Sequence, residues 1–119
     1  MKAELDQVFS ALADPTRRRV VETLVREGST SVPALTSFLP ITRQAVAKHL
    51  ATLDAAGLVE RMPGPGREVR YQLRDRALEP AASWLAETEA AWDRRLVRLK
   101  KLVEKDRRPR GHRERARTR

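Results

Sequence analysis

The chain has 119 residues and a mass of 13.6 kDa, enough for one domain with a modest core and a short extension. It contains no cysteine and only two histidines, His49 and His112, which excludes disulfides, thiolate catalysis and thiolate metal sites and leaves too few ligands for an all-histidine zinc site. With 25 Lys+Arg against 16 Asp+Glu the net charge is +9, which favours a polyanionic partner.

That charge is unevenly spread. Residues 105–119 hold Lys105 and seven arginines against Asp106 and Glu114, leaving the rest of the chain only mildly basic. Any specificity must therefore come from where charges are placed rather than from their sum. The opening M-K-A-E-L-D-Q-V-F carries acids and lacks an apolar run, so it does not read as a signal peptide, and no apolar stretch approaches membrane-spanning length. The expected compartment is the cytoplasm, with no membrane partner.

Leu5, Val8, Phe9 and Leu12 recur at i, i+3, i+4 and i+7, which predicts a short amphipathic helix over 3–13. Asp14-Pro15 supplies an N-cap and a first-turn proline for a second helix, with Val20, Val21, Leu24 and Val25 turned inward and Gly28 as its stop. Arg17, Arg18 and Arg19 crowd its first turns, either as a solvated face or as phosphate contacts. After a polar break at Ser29–Ser31, the residues Val32, Leu35, Phe38 and Leu39 mark a helix of about two turns closed by Pro40.

The stretch from Ile41 to Val59 organises the rest. Val46, Leu50 and Leu53 form one apolar stripe, while Arg43, Gln44, Ala47, Lys48 and Ala51 fall on the opposite side. Thr42 can cap the start and Gly57 can end the helix in a left-handed turn. Arg or Lys can pair with guanine O6/N7 and Gln with adenine N6/N7, so such a face has the chemistry to enter a DNA major groove. An ordinary surface helix would share the pattern. The tight junction with the preceding short helix makes a helix-turn-helix, which favours DNA.

Beyond Gly57, L-V-E-R-M and E-V-R-Y-Q-L are strand-like and flank Pro63-Gly64-Pro65-Gly66, predicting a β-hairpin with Val69, Tyr71 and Leu73 facing inward. Arg67 lies at its tip with Arg61 and Arg70 close behind. After a recognition helix such a hairpin is a wing that can lie along the phosphate backbone; a plain solvent-exposed hairpin is the alternative.

From Ala77 to about Lys105 helix period returns. Leu85, Trp92 and Leu99 sit seven apart, a coiled-coil-like seam with Leu96 on the same side and Trp84 beside it. A small body cannot cover so long an apolar helix, so the seam is read as a dimer interface rather than as packing on the chain's own core. Residues 106–119 are low-complexity and charged and are expected to be a disordered basic tail, serving either salt-sensitive DNA attraction or solubility.

The order helix, helix, helix-turn-helix, hairpin and long last helix resembles the arsenic-repressor-type (ArsR) family of winged-helix transcription regulators over residues 5–104. The likeness rests on L-A-D-P-T-R at 12–17, Q-A-V-A-K-H-L-A-T-L-D-A-A-G-L-V at 44–59 and G-R-E-V-R-Y-Q-L at 66–73. The tryptophan-leucine pattern of the last helix looks like the metal-independent branch, small autoregulating repressors. The resemblance implies a mainly α winged helix-turn-helix with a small hairpin, a DNA-binding and dimerisation domain over 1–105, and a homodimer through the first and last helices. Carried over by position, Arg43, Gln44, Lys48 and His49 face double-stranded DNA and Arg67 contacts the backbone; Arg70, close behind the tip, is expected among the DNA-binding residues as well. His49 can bond a phosphate or fill space beside the turn. The implied dimer interface takes in Leu5, Phe9, Trp84, Leu85, Trp92, Leu96 and Leu99. Metal-sensing relatives carry cysteines where this chain reads S-V-P-A-L-T-S-F-L-P at 31–40, or His and acidic ligands in the last helix, which here has no histidine, so no metal or other cofactor is expected and an unknown small-molecule or protein inducer is left open.

The function expected is a sequence-specific dimeric repressor on a palindromic operator. The alternative is a basic nucleic-acid-binding protein without sequence choice. Against it, the aromatics Phe9, Phe38, Tyr71, Trp84 and Trp92 all sit on apolar faces rather than on a stacking platform. No Ser/His/Asp set, carboxylate pair or phosphate loop can be assembled, so an enzyme is not expected.

Overall fold

Capping chemistry sets most of the helix boundaries. The computed structural model describes residues 2–111, with side chains described over 4–106; Met1 and residues 112–119 lie outside it. Helix α1 (Lys2–Leu12) buries Val8 and Ala11, with Leu5, Phe9 and Leu12 half-buried against the core. Helix α2 (Pro15–Glu27) starts where Asp14 accepts the Arg17 N–H at 2.9 Å and Pro15 occupies a position that needs no donor. It stops at Gly28, whose φ of 79° is open to glycine at little cost and whose N–H reaches the Leu24 carbonyl at 2.8 Å.

Val20, Val21 and Leu24 are buried as expected, but Val25 is 64% exposed and Thr23 takes the fourth inward position. A hydroxyl can be buried there because Thr23 Oγ1 donates to the Arg19 carbonyl at 2.8 Å.

Two residues of the polar break form strand β1 (Thr30–Ser31), which no sequence period marks. Ser31 then caps helix α3 (Val32–Phe38) by accepting the Ala34 N–H at 3.3 Å. Helix α4 (Arg43–Ala55) follows after Leu39–Thr42. At its far end Leu58 N–H reaches the Leu53 carbonyl and Gly57 N–H the Asp54 carbonyl, both at 2.9 Å, with Gly57 at φ 78°. This is a Schellman closure, and its accompanying apolar pair, Leu53 and Leu58, is fully buried.

Strands β2 (Val59–Pro63) and β3 (Val69–Leu73) form the hairpin, and β1 pairs antiparallel on the other edge of β3, giving the order β1-β3-β2. The register sets Val59 opposite Leu73, Pro63 opposite Val69, and Thr30 opposite Tyr71. Tyr71 and Leu73 are half-buried, but Val69 is exposed because the ladder runs past the core at its tip end. The core of this unit, residues 1–81, lies among α1 to α4 and the base of the sheet, with Leu35, Val46, Leu50, Leu53, Leu58 and Val59 sealed from solvent.

Helix α5 (Glu79–Gly111) forms most of a second unit, residues 82–119. It continues past Lys105, so residues 106–111 are helical where disorder was expected. Arginine is a good helix former, and extending a formed helix needs no new nucleus. The remainder of the expected tail, 112–119, lies outside the described residues. Trp84, Leu85, Trp92, Leu96, Leu99 and Val103 are all exposed along it.

Candidate nucleic-acid interface

The site is built on α4. Thr42 Oγ1 accepts the Ala45 N–H at 3.1 Å, which fixes the first turn and hence the directions of Arg43 and Gln44. Val46, Leu50 and Leu53 are each 0% exposed, so the helix cannot roll without expelling three core side chains. The opposite face then presents Arg43, Gln44, Ala47, Lys48 and Ala51 to solvent. None of the Arg43, Gln44, Lys48 or Arg67 side chains makes a hydrogen bond or ion pair among the described residues. Three cations, Arg43 and Lys48 on α4 and Arg67 on the hairpin, and the amide of Gln44 thus keep their donors unspent.

His49 is placed differently. It is half-buried, on the flank of α4, and its charge acts on Asp14 at the start of α2. The Arg17 N–H bond is the largest effect and outweighs the opposing desolvation; with smaller contributions from Arg17 and His49 and from the Thr16 N–H, it holds the Asp14 carboxyl below its ordinary value of 3.8.

Arg70 also departs from the exposed set. Its Nε donates to Ser29 Oγ at 3.1 Å, its Nη2 to the Ser29 carbonyl at 2.8 Å and its Nη1 to Glu68 Oε1 at 3.1 Å. Arg67, by contrast, stands exposed in the loop that joins β2 to β3.

Two arginines at the start of α2 serve the fold. Arg17 Nε donates to the Ala11 carbonyl at 2.7 Å, and Arg18 Nη1 to the Leu12 and Ala13 carbonyls at 2.6 and 3.2 Å. They close the carbonyls that the end of α1 leaves open. Arg19 alone of the three points outward without a partner among the described residues.

A helix-turn-helix domain model matches residues 12–62, the span from the end of α1 through α4 into the first wing strand. The chain is 37% identical over 101 residues to an HTH-type transcriptional regulator of Mycobacterium tuberculosis, covering 85% of this chain and 90% of that protein. The solved structure of an ArsR-like transcriptional regulator from a Rhodococcus species superposes with a TM-score of 0.74 at 44% identity, over 85% of this chain and 93% of that one. The chain belongs to the ArsR-like family of transcriptional regulators. Its α3–α4 pair is the helix-turn-helix DNA-binding element of this family, and β2–β3 is the wing. Another match is the transcriptional repressor SdpR of Bacillus subtilis, 25% identical over 81 residues and matched over 68% of this chain and 88% of its own. The kinship is with regulators of transcription, not with enzymes.

Among the described residues no helix is long and apolar enough to cross a membrane, and no group of three or more His, Cys, Asp or Glu is placed to hold a metal ion.

Proposed function

We propose that this ArsR-like regulator is a homodimeric repressor that reads an inverted-repeat operator in double-stranded DNA. Arg43, Gln44 and Lys48 meet base edges or flanking phosphates in the major groove, and Arg67 of the wing meets the backbone. The observation that carries the reading is the contrast on α4: three side chains at zero exposure fix the helix, and the donors on its far side have no partner among the described residues.

Self-association is supported by the row of exposed Trp84, Leu85, Trp92, Leu96 and Leu99 along one helix, too much apolar surface to leave in water. Leu5 and Phe9 are half-buried against the chain's own core, so their part in the interface is the smaller one. A repressing rather than activating role follows the naming of SdpR, a relative over most of its length. The releasing signal is a small molecule or protein rather than a thiophilic metal, since the chain has no cysteine to bind one.

Selection of bound sequences from random duplex DNA, repeated at two salt concentrations, tests the proposal. It should yield an inverted repeat with half-sites about one helical turn apart, roughly 10 base pairs. Enrichment of no sequence at either salt would instead mark a general nucleic-acid binder and overturn the proposal.

A further inference from the structure

Three cations lie on the wing, Arg61, Arg67 and Arg70, and among the described residues only Arg70 spends its guanidinium inside the fold. We propose that Arg70 is a positioning residue for DNA binding: it locks the wing to the segment that leads into α3, and so sets where Arg67 meets the backbone. The inference rests on the reading of the wing as a DNA contact.

The grip is two-sided. One edge of the guanidinium holds both the hydroxyl and the carbonyl of Ser29, a residue 41 positions away, and the other holds the Glu68 carboxylate. Glu68 belongs to the tip loop, which closes on itself through Gly64 N–H to the Glu68 carbonyl at 2.9 Å and Glu68 N–H to the Pro65 carbonyl at 3.1 Å. Arg67 sits within that closed loop. Ser29 lies at the other end of the connection, directly before β1, and Ser31 at the end of β1 caps α3. The loop presenting Arg67 is therefore tied to the start of the helix-turn-helix.

The base of the hairpin is anchored by Val59, Tyr71 and Leu73 in or against the core, but the backbone pairing that leads toward its tip is slight. The β1–β3 ladder pairs only Thr30 with Tyr71 and Ser31 with Arg70, too short to fix the angle of a hairpin by itself. Gly64 completes the arrangement. A Cβ at that position would stand 2.8 Å from Arg70 Cγ and Cδ and 2.8 Å from Glu68 Oε1, so the arginine stem lies where any side chain would be. The planar fork suits bonds on two opposite edges, whereas a lysine ammonium is a single point that cannot hold both sides at once.

The test uses the full chain and the duplex recovered by selection, with affinity measured across a salt series. Arg67→Ala should weaken binding roughly tenfold and lower the salt slope by about one, the loss of one charge-assisted phosphate contact. Arg70→Met should do nearly the same although it removes no contact to DNA. Arg70→Lys should not restore binding, and Arg67→Ala combined with Arg70→Met should be no weaker than either alone. In the free protein, amide exchange over 64–69 should quicken in Arg70→Met while α4 stays protected. Should that variant fail to fold, Gly64→Ala, which pushes the Arg70 stem aside, should give the same DNA readout.

Recovery by lysine, or losses that multiply in the double variant, would show Arg70 to be a phosphate contact itself and overturn the inference alone. Lower thermal stability with unchanged affinity and slope would reduce Arg70 to a structural role and also overturn it. An Arg67→Ala variant that binds like the parent would defeat the wing reading and this inference together.

Discussion

The starts of α2 and α4 look alike in sequence and do opposite work. Each begins at a capping oxygen, Asp14 or Thr42, and each carries cations in its first turns. At α2, Arg17 and Arg18 fold back onto the carbonyls of Ala11, Leu12 and Ala13 and are consumed in joining two helices. At α4 the side chains of Arg43 and Gln44 make no such bonds among the described residues and stay exposed. Basic residues at a helix start are thus ambiguous until the neighbouring chain end is located. An arginine is available to a ligand only where the fold has left it without carbonyl or carboxylate partners.

The largest effect should come from the platform beneath both. Leu50→Ala, at a position with no exposure, should cost about 2–5 kcal/mol of stability in denaturant unfolding. A smaller loss, with α4 intact, would mean that the buried stripe does not fix the reading face. Arg17→Met should cost about 1–2 kcal/mol, because carbonyls at the end of α1 lose a charged donor, yet leave the preferred DNA sequence as it was. A changed sequence preference would break the distinction between the two helix starts.

Asp14→Ala sharpens it through pH. The carboxyl of Asp14 is held below its ordinary value, so its contribution is complete above about pH 3.8 and is lost as pH falls through the lower folded value. The gap in melting temperature between Asp14→Ala and the parent should therefore persist at mildly acid pH and close only in strong acid. A gap that closed already near pH 5 would contradict the assigned cap. The smallest effect should be that of Arg19→Ala, within about 0.5 kcal/mol of the parent in stability, since the side chain is exposed. A marked fall in the salt slope of that variant would show that α2 also lends a cation to DNA.

Much of this was legible from the residues in order. Periodicity marked Val46, Leu50 and Leu53 as the buried stripe, and Asp14-Pro15, Thr42 and Gly57 marked helix ends, because those signals act within one or two turns. What failed to show was long-range or local to a single bond. Arg70 reads in sequence as one more DNA-facing cation of the wing, because its partner Ser29 is distant in sequence, and the Thr30–Ser31 strand is too short to carry a period. Val25 was misplaced because apolar character alone cannot reveal that Thr23 satisfies its own hydroxyl within the helix and takes the buried place. The end of α5 was set too early, since highly charged composition says little about a helix already under way.

The most direct test of the account is the ratio of affinities for the selected duplex and a scrambled duplex of equal length, compared between the parent and folded Arg43→Ala and Gln44→Ala variants. The account predicts that each change lowers affinity for the selected duplex by about 1–3 kcal/mol and barely alters the scrambled one, so the ratio collapses. Equal losses on both duplexes, leaving the ratio intact, would contradict the claim that the exposed face of α4 reads bases.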